Sequence, residues 1–402
     1  MNKPYAFMSL AVLLFCVLVS QAGDTDMRDL VQGNTTFALD MYHQVRAREG
    51  NIFFSPYSIS TAFAMTYTGA RSTTAEQMAE VLHFSFDPCQ LHPAFHELQT
   101  HFNTLQESRP FRLNITNALW IQKDYALLQE FKDLNQKYYG ANLFNLNFKG
   151  DPEGSRLKIN DWVEDKTEGK IKDLLPGGVI KTLTRLVLTN TIYFKAEWEH
   201  TFNADKTEEQ DFWISAEDKI KVRMMTQKAP LGYWENETLQ VLEIPYVQRD
   251  LSMIVCLPRK RDGLPDLESK LTTETLQEWT SGLERQHVNI FFPKFTTTQN
   301  LNLKEILLAL GMVDAFTDAA DFSGMESKKE LHITDALHKA FIDVDEKGTE
   351  AAAATAVVMG ITSIRPPEVV PEFRADHPFL FLIRDNRTES ILFMGRLTQP
   401  GK

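Results

Sequence analysis

The chain reads as an α+β protein. Its first half carries helical periodicity, its second half is dominated by short strand-like runs, and nothing between them marks a linker. Helices first and strands afterwards argue against repeating βαβ units and for sheets with segregated helices. At 402 residues the length alone would allow two or three domains. No Pro/Gly/Ser-rich stretch, charge block, low-complexity run or internal repeat divides the chain, so one large domain spanning 23–402 is expected.

The elements follow in order. Leu30–Arg48 places apolar residues at helical spacing, and Ser58–Thr68 and Thr74–Leu82 repeat the pattern, the last opened by Thr73 or Thr74 as a cap. Leu113–Ile121 alternates like a strand, Leu127–Tyr138 returns to helix, and Asn160–Thr167 is a helix ending near Gly169. From Leu186 strands take over: Leu186–Phe194, Phe212–Met225, Leu239–Pro245, Ser252–Pro258 and His287–Pro293. A helix at Leu303–Leu310 interrupts them before Ile333–Val344. Phe379–Arg384 and Ser390–Leu397 form a closing hairpin turned by Asp385-Asn386-Arg387.

The composition, 43% hydrophobic and 24% charged, is that of an ordinary globular protein. A net charge of −12 argues against a nucleic-acid or anionic-membrane surface, which needs clustered Lys and Arg. At the N-terminus, Lys3 precedes an apolar run, Ala6–Val19, of signal-peptide length, and Ser20 and Ala22 suit a peptidase site. Residues 1–22 are therefore expected to be removed and the mature protein to be secreted and extracellular. A lipid anchor on Cys16 is disfavoured by the bulk of Phe15. Cys89 and Cys256 then remain; one disulfide is arithmetically open, but a surface turn and a buried strand favour two free thiols. Glycosylation sequons stand at Asn34, Asn114, Asn236 and Asn386.

Catalysis finds little support. There is no G-x-S-x-G elbow, no G-x-x-x-x-G-K and no H-E-x-x-H; His96-Glu97 and His101 have the wrong spacing for a zinc helix. Cys89, His92 and His96 have ligand-like spacing, yet a solvated polar helix face accounts for them, and no metal or cofactor is expected.

The most informative segment is Glu346-Lys347-Gly348-Thr349-Glu350-Ala351-Ala352-Ala353-Ala354-Thr355. Alanine is a poor strand former, so this run suits an exposed loop, while its small side chains leave it free to enter a sheet later. As a strand, Thr349, Ala351, Ala353 and Thr355 share one face, and Glu350, Ala352 and Ala354 the other. A short Ala-rich helix is the competing reading and is compatible with the loop before insertion. A strand of roughly a dozen residues entering a sheet makes on the order of ten backbone hydrogen bonds, each worth about 1 kcal/mol net.

Several motifs flank this run: Asn51–Ala64 (NIFFSPYSISTAFA), Asn160–Pro176 (NDWVEDKTEGKIKDLLP), His338-Lys339-Ala340, Asp376–Phe381 (DHPFLF) and the closing FMGRLTQP. Together they resemble the serpin family, inhibitory type, from about Leu30 to Pro400. The resemblance implies three β-sheets surrounded by eight or nine helices. It also implies a reactive-centre loop, about residues 346–367, that inserts into the large central sheet. The implied activity is suicide inhibition of serine endopeptidases. The protease cleaves the loop, and hinge insertion traps its acyl-enzyme as a covalent 1:1 complex with a monomeric inhibitor. Cross-class action on cysteine proteases is a further option, and the alternative is a non-inhibitory carrier, storage or chaperone serpin.

By resemblance, Glu346 should pair with Lys294, Trp198 should pack beneath the loop's entry point, and Ser55, Ser58, Asn190 and His338 should form a buried polar cluster where the sheet parts. Ala196 stands where the family commonly has glycine. Family spacing puts the scissile bond about sixteen residues after Glu346, between Thr362 and Ser363. Arg365 appears as an added residue before Pro366, which leaves Ile361, Met359 and Arg365 as alternative specificity residues. Thr362 suits the shallow pocket of elastase-like or subtilisin-like proteases. Phe84–Asn103 contains no Lys or Arg, so heparin-type activation through that face is not expected.

Overall fold

In the computed structural model, residues 24–85, 87–108, 111–349 and 370–401 are described. The described residues form nine α-helices: α1 (Asp24–Val45), α2 (Pro56–Tyr67), α3 (Ser72–Val81), α4 (Pro88–Ser108), α5 (Gln129–Tyr139), α6 (Pro152–Lys166), α7 (Leu264–Ser269), α8 (Thr273–Ser281) and α9 (Leu303–Leu310). Their strands are β1 (Ile52–Phe54), β2 (Phe111–Gln122), β3 (Asn142–Leu146), β4 (Leu186–Glu197), β5 (Glu208–Trp213), β6 (Lys219–Glu235), β7 (Leu239–Pro245), β8 (Leu251–Pro258), β9 (Glu284–Pro293), β10 (Phe295–Asn302), β11 (Ile333–Val344), β12 (Gly348–Thr349), β13 (Glu372–Arg374), β14 (Phe379–Asp385) and β15 (Ile391–Leu397). Helices crowd the first half and strands the second, so the chain is α+β.

A six-stranded sheet runs β10-β11-β12-β4-β2-β3. A nine-stranded sheet runs β1-β15-β14-β8-β7-β6-β9-β13, with β5 on β6. Two of the three expected sheets are joined in this larger one, because the 17-residue β6 pairs with β5 near its start and with β7 near its end. The expected strand Phe212–Met225 is two strands, split where Ser215 Oγ accepts the Asp218 N–H at 2.9 Å. Strand β10 escapes sequence reading because Phe295-Thr-Thr-Thr-Gln-Asn is polar, yet its whole length pairs with Leu337–Val344 of β11.

In the six-stranded sheet, β4 and β11 run parallel and pair directly from Ile333↔Leu186 to Phe341↔Tyr193. Helix α2, which belongs to the main core, begins behind their middle. Ser55 caps it by accepting the Ser58 N–H, and Pro56 supplies a first-turn residue that lacks an N–H. Helix α6, capped by Asp151, covers the other face. Its Ile159 and Val163, with Ile171, Leu174 and Leu175 beyond it, pack on Trp120, Val187 and Leu337. Burial on both faces explains why Leu186–Phe194 reads as a continuous apolar run interrupted only by threonines and Asn190.

Three surface readings need correction. Cys89 is disulfide-bonded, so only Cys256 presents the expected free thiol; it is fully buried, and burial pushes its pKa up to about 12. Asn34 is buried, with its amide donating to the Pro56 carbonyl at 3.3 Å, which leaves no room for a glycan. His92 is not a solvated face residue either: it is buried and meets the Tyr139 hydroxyl at 2.7 Å through Nδ1.

Candidate functional site: a strand seam and its hinge

The seam between β4 and β11 opens at one end, where β12 enters it. Thr349 lies opposite Val344 of β11 and Ala196 of β4, and Gly348 lies opposite Glu197. The first residues of the hinge are thus seated between the two strands. The fit depends on size, since a Cβ on Gly348 would come within 2.1 Å of the Ala196 carbonyl oxygen. Thr349 is fully buried and its Oγ1 is 2.8 Å from the Tyr246 hydroxyl. Burial pushes the Tyr246 pKa far above its ordinary value, with the Thr349 hydrogen bond opposing, so the phenol stays neutral.

Trp198 forms the floor of this entry. Its ring stacks on Tyr246 with centroids 4.6 Å apart and 14° between planes. Its indole N–H donates to the Asp345 carbonyl at 3.0 Å, and its backbone N–H to the Lys347 carbonyl at 2.8 Å. Asp345 Oδ1 in turn accepts the backbone N–H groups of Lys347 and Gly348 at 2.8 and 3.2 Å. The Lys294 ammonium donates to Glu346 Oε2 at 2.6 Å. Burial alone would raise the Glu346 pKa, but hydrogen bonds from Lys294, its own backbone and Thr207 outweigh it and hold the carboxyl below its ordinary range. The turn leading into the hinge is therefore fixed from three sides before the chain reaches Gly348.

Farther along the seam, Asn190 of β4 and His338 of β11 are register partners, both fully buried. His338 Nε2 accepts the Ser55 N–H at 3.1 Å, so Nδ1 carries the proton and donates to Asn190 Oδ1. The Asn190 amide donates to the Ser58 carbonyl at 2.8 Å, to Ser58 Oγ at 2.6 Å and to Asn117 Oδ1. Burial drives the His338 pKa down to about 3, so the imidazole is neutral. The cluster is a set of hydrogen bonds stitching β2, β4 and β11 to the start of α2.

Of the residues singled out from sequence, Ser55, Ser58, Asn190 and His338 come together at the middle of the seam, and Glu346, Lys347, Gly348, Thr349, Lys294 and Trp198 at its open end. Glu350, Ala351, Ala352, Ala353, Ala354, Thr355, Met359, Ile361, Thr362, Ser363 and Arg365 lie outside the described residues, as do residues 1–22. Asn114 is half-buried in β2, Asn236 is exposed, and Asn386 is tied down by donating to the Arg249 carbonyl and Ser252 Oγ. Sequence reasoning missed Asn117 and Tyr246. A buried asparagine inside the apolar alternation of β2 was a usable signal for the first. Tyr246 follows a strand with no local mark that it reaches the hinge.

A sheet that admits a strand at one end of a parallel seam defines a strand-accepting protein. The Serpin (serine protease inhibitor) family model matches residues 32–400, and the chain belongs to this family. It is similar to Serpin B3 of Homo sapiens, at 43% identity over 394 residues, covering 93% of this chain and 100% of that one. Leukocyte elastase inhibitor of Bos taurus matches at 40% over 384 residues, again covering 93% and 100%. Among solved structures, human thyroxine-binding globulin complexed with thyroine matches at TM-score 0.83 and 30% identity, covering 94% of this chain and 100% of that one. Protease inhibition is thus the family activity, and these inhibitors are not catalytic enzymes.

The relatives also correct the expectation of secretion. They are intracellular B-group serpins that lack signal peptides, and their whole length aligns with 93% of this chain. The apolar run Ala6–Val19 was the basis for reading an extracellular protein, and the relatives do not support that reading.

Proposed function

We propose that this chain inhibits serine endopeptidases by a single-use mechanism: cleavage at Thr362-Ser363 is followed by insertion of the hinge into the seam between β4 and β11. The observation that carries the reading is the seating of Gly348 and Thr349 between those strands, in register with both. Continuing that register, Thr355 falls opposite Asn190 and His338, on the same face as Thr349. Met359 then meets Leu186, the first residue of β4. Each position on the core-facing side, Ala351, Ala353 and Thr355, is small enough to enter a packed sheet. A bond after Thr362 leaves Gly360, Ile361 and Thr362 beyond the last pair to carry the attached protease, whereas a bond after Met359 leaves none.

The protease supplies its own nucleophile and forms its acyl-enzyme on the loop. Insertion replaces the direct β4–β11 pairing with two new ladders and moves the acyl bond to the far end of the seam. Strand addition supplies the driving force, and distortion of the protease there stops deacylation. Roles follow for the residues at the seam. Lys294–Glu346 and Trp198 fix the end where insertion begins, while Ser55, Ser58, Asn190 and His338 govern how readily the strands part. The loop spans about 346–367 of a single domain starting near residue 23, and the active inhibitor is a monomer.

A β-branched Thr362 favours elastase-like or subtilisin-like targets, with cysteine proteases as a further class. The non-inhibitory reading draws on the likeness to thyroxine-binding globulin, but the small residues of the hinge favour inhibition. Mass spectrometry of the C-terminal peptide released by elastase and by subtilisin tests the assignment. A peptide beginning at Ser363 is expected; one beginning at Gly360 or Pro366 overturns the register.

A further inference from the structure

The end of the seam opposite the hinge opens into a cavity of about 610 Å³. Segment 177–185 leading into β4, the start of β11 and Lys304 of α9 enclose it. Three cations, Lys181, Arg185 and Lys304, line this space. Lys304 Nζ donates to the Thr334 carbonyl at 3.0 Å and Arg185 donates to the Leu183 carbonyl at 2.9 Å, so both heads are positioned. Among the described residues, none of the three forms an ion pair. The chain carries a net charge of −12, which makes three cations around one cavity, none in an ion pair among the described residues, a local exception.

Two carboxylates, Asp318 and Asp335, face the same space and offset part of that charge. Asp318 is fully exposed and sits 3.4 Å from His332. Burial raises the Asp335 pKa while Lys304 and Lys181 pull it down, which places both ammonium groups within its field. Burial lowers the His332 pKa; Asp318 opposes the shift, and Lys304 and Arg185 add to it. The same three cations therefore act on one space from two elements, the segment before β4 and α9.

We infer that this cavity binds a small phosphate-bearing anion held by Lys181, Arg185 and Lys304. An arginine fork with two flanking ammonium groups matches a tetrahedral oxyanion, and the volume leaves room for an organic group beyond it. Asp335 can accept a hydroxyl of that group. A ligand here bridges the segment before β4, the start of β11 and α9, and so ties the two seam strands together at their foot. The assignment stands whether or not the chain inhibits proteases.

Calorimetric titration and thermal melting of the full chain with inorganic phosphate and with a sugar phosphate test this, against sodium chloride at matched ionic strength. Saturable binding and a raised melting temperature with the phosphates, absent with chloride, are expected. Lys181→Gln should weaken binding by about tenfold. Its exposed side chain makes no hydrogen bond among the described residues, so its fold should be intact. Tighter binding of the sugar phosphate marks an organic ester as the ligand, and equal affinity marks the free ion. An equal shift with chloride, or full affinity in Lys181→Gln combined with Arg185→Gln, overturns the site.

Discussion

The hydroxyls of Tyr246 and Thr349 lie 2.8 Å apart in a fully buried pocket at the mouth of the central seam. This contact joins a residue following β7 to the first inserted residues of the hinge, so the energy of the seated state is open to measurement. Tyr246→Phe removes the bond but keeps the stack on Trp198, and should cost about 1 kcal/mol in urea unfolding. An unchanged midpoint would mean that the hydroxyl pair does not hold the hinge.

Gly348 lies too close to the Ala196 carbonyl to carry a side chain. Gly348→Val should therefore unseat the hinge, exposing the backbone of residues 348 and 349 to hydrogen exchange while the sheet below stays protected. Retained protection at Thr349 would contradict the close-approach argument.

Thr349→Glu places a carboxylate where a fully buried hydroxyl now sits. An unpaired buried charge costs several kcal/mol, which should oppose insertion more than cleavage. The variant is expected to be cut by the target protease with little or no covalent complex, a shift in product ratio of tenfold or more by gel densitometry.

His338 sets a pH dependence. Its pKa is lowered to about 3 when folded, against about 6.5 in the unfolded chain. The unfolded state therefore binds the proton first, so stability falls as pH drops from about 6.5 towards about 3, on the order of 1 kcal/mol per pH unit. His92, lowered to about 4 chiefly by burial, acts in the same direction. Urea melts at several pH values should show a flatter slope in His338→Gln than in the unchanged protein. Equal slopes would mean that His338 takes up its proton without loosening the fold.

Much of this was legible in the chain. Leu239–Pro245, Leu303–Leu310 and Ile333–Val344 are elements with the bounds their periodicity implies, because each buries one face or both against the core. The ends that moved are set by local chemistry that periodicity does not see: α6 begins at Pro152 because Asp151 caps it, well before its apolar stripe. Short or polar elements such as β10, α7 and α8 carry little apolar signal and are held by their neighbours. At the site, Ser55, Asn190 and His338 were found through motif resemblance, since nothing local says that residues so distant in sequence share a hydrogen-bond network. Partial seating of the hinge could not be read at all, because it depends on the space left between β4 and β11.

The central claim is that the hinge continues along the seam it has already entered, trapping the protease. Denaturing gel electrophoresis after mixing the protein with elastase, subtilisin, chymotrypsin and trypsin separately tests it most directly. A heat- and detergent-stable band at the summed mass with elastase or subtilisin is the predicted result. Clean cleavage of the loop with no such band for any of the four would contradict it, and would leave the seated hinge as a structural feature of a non-inhibitory protein.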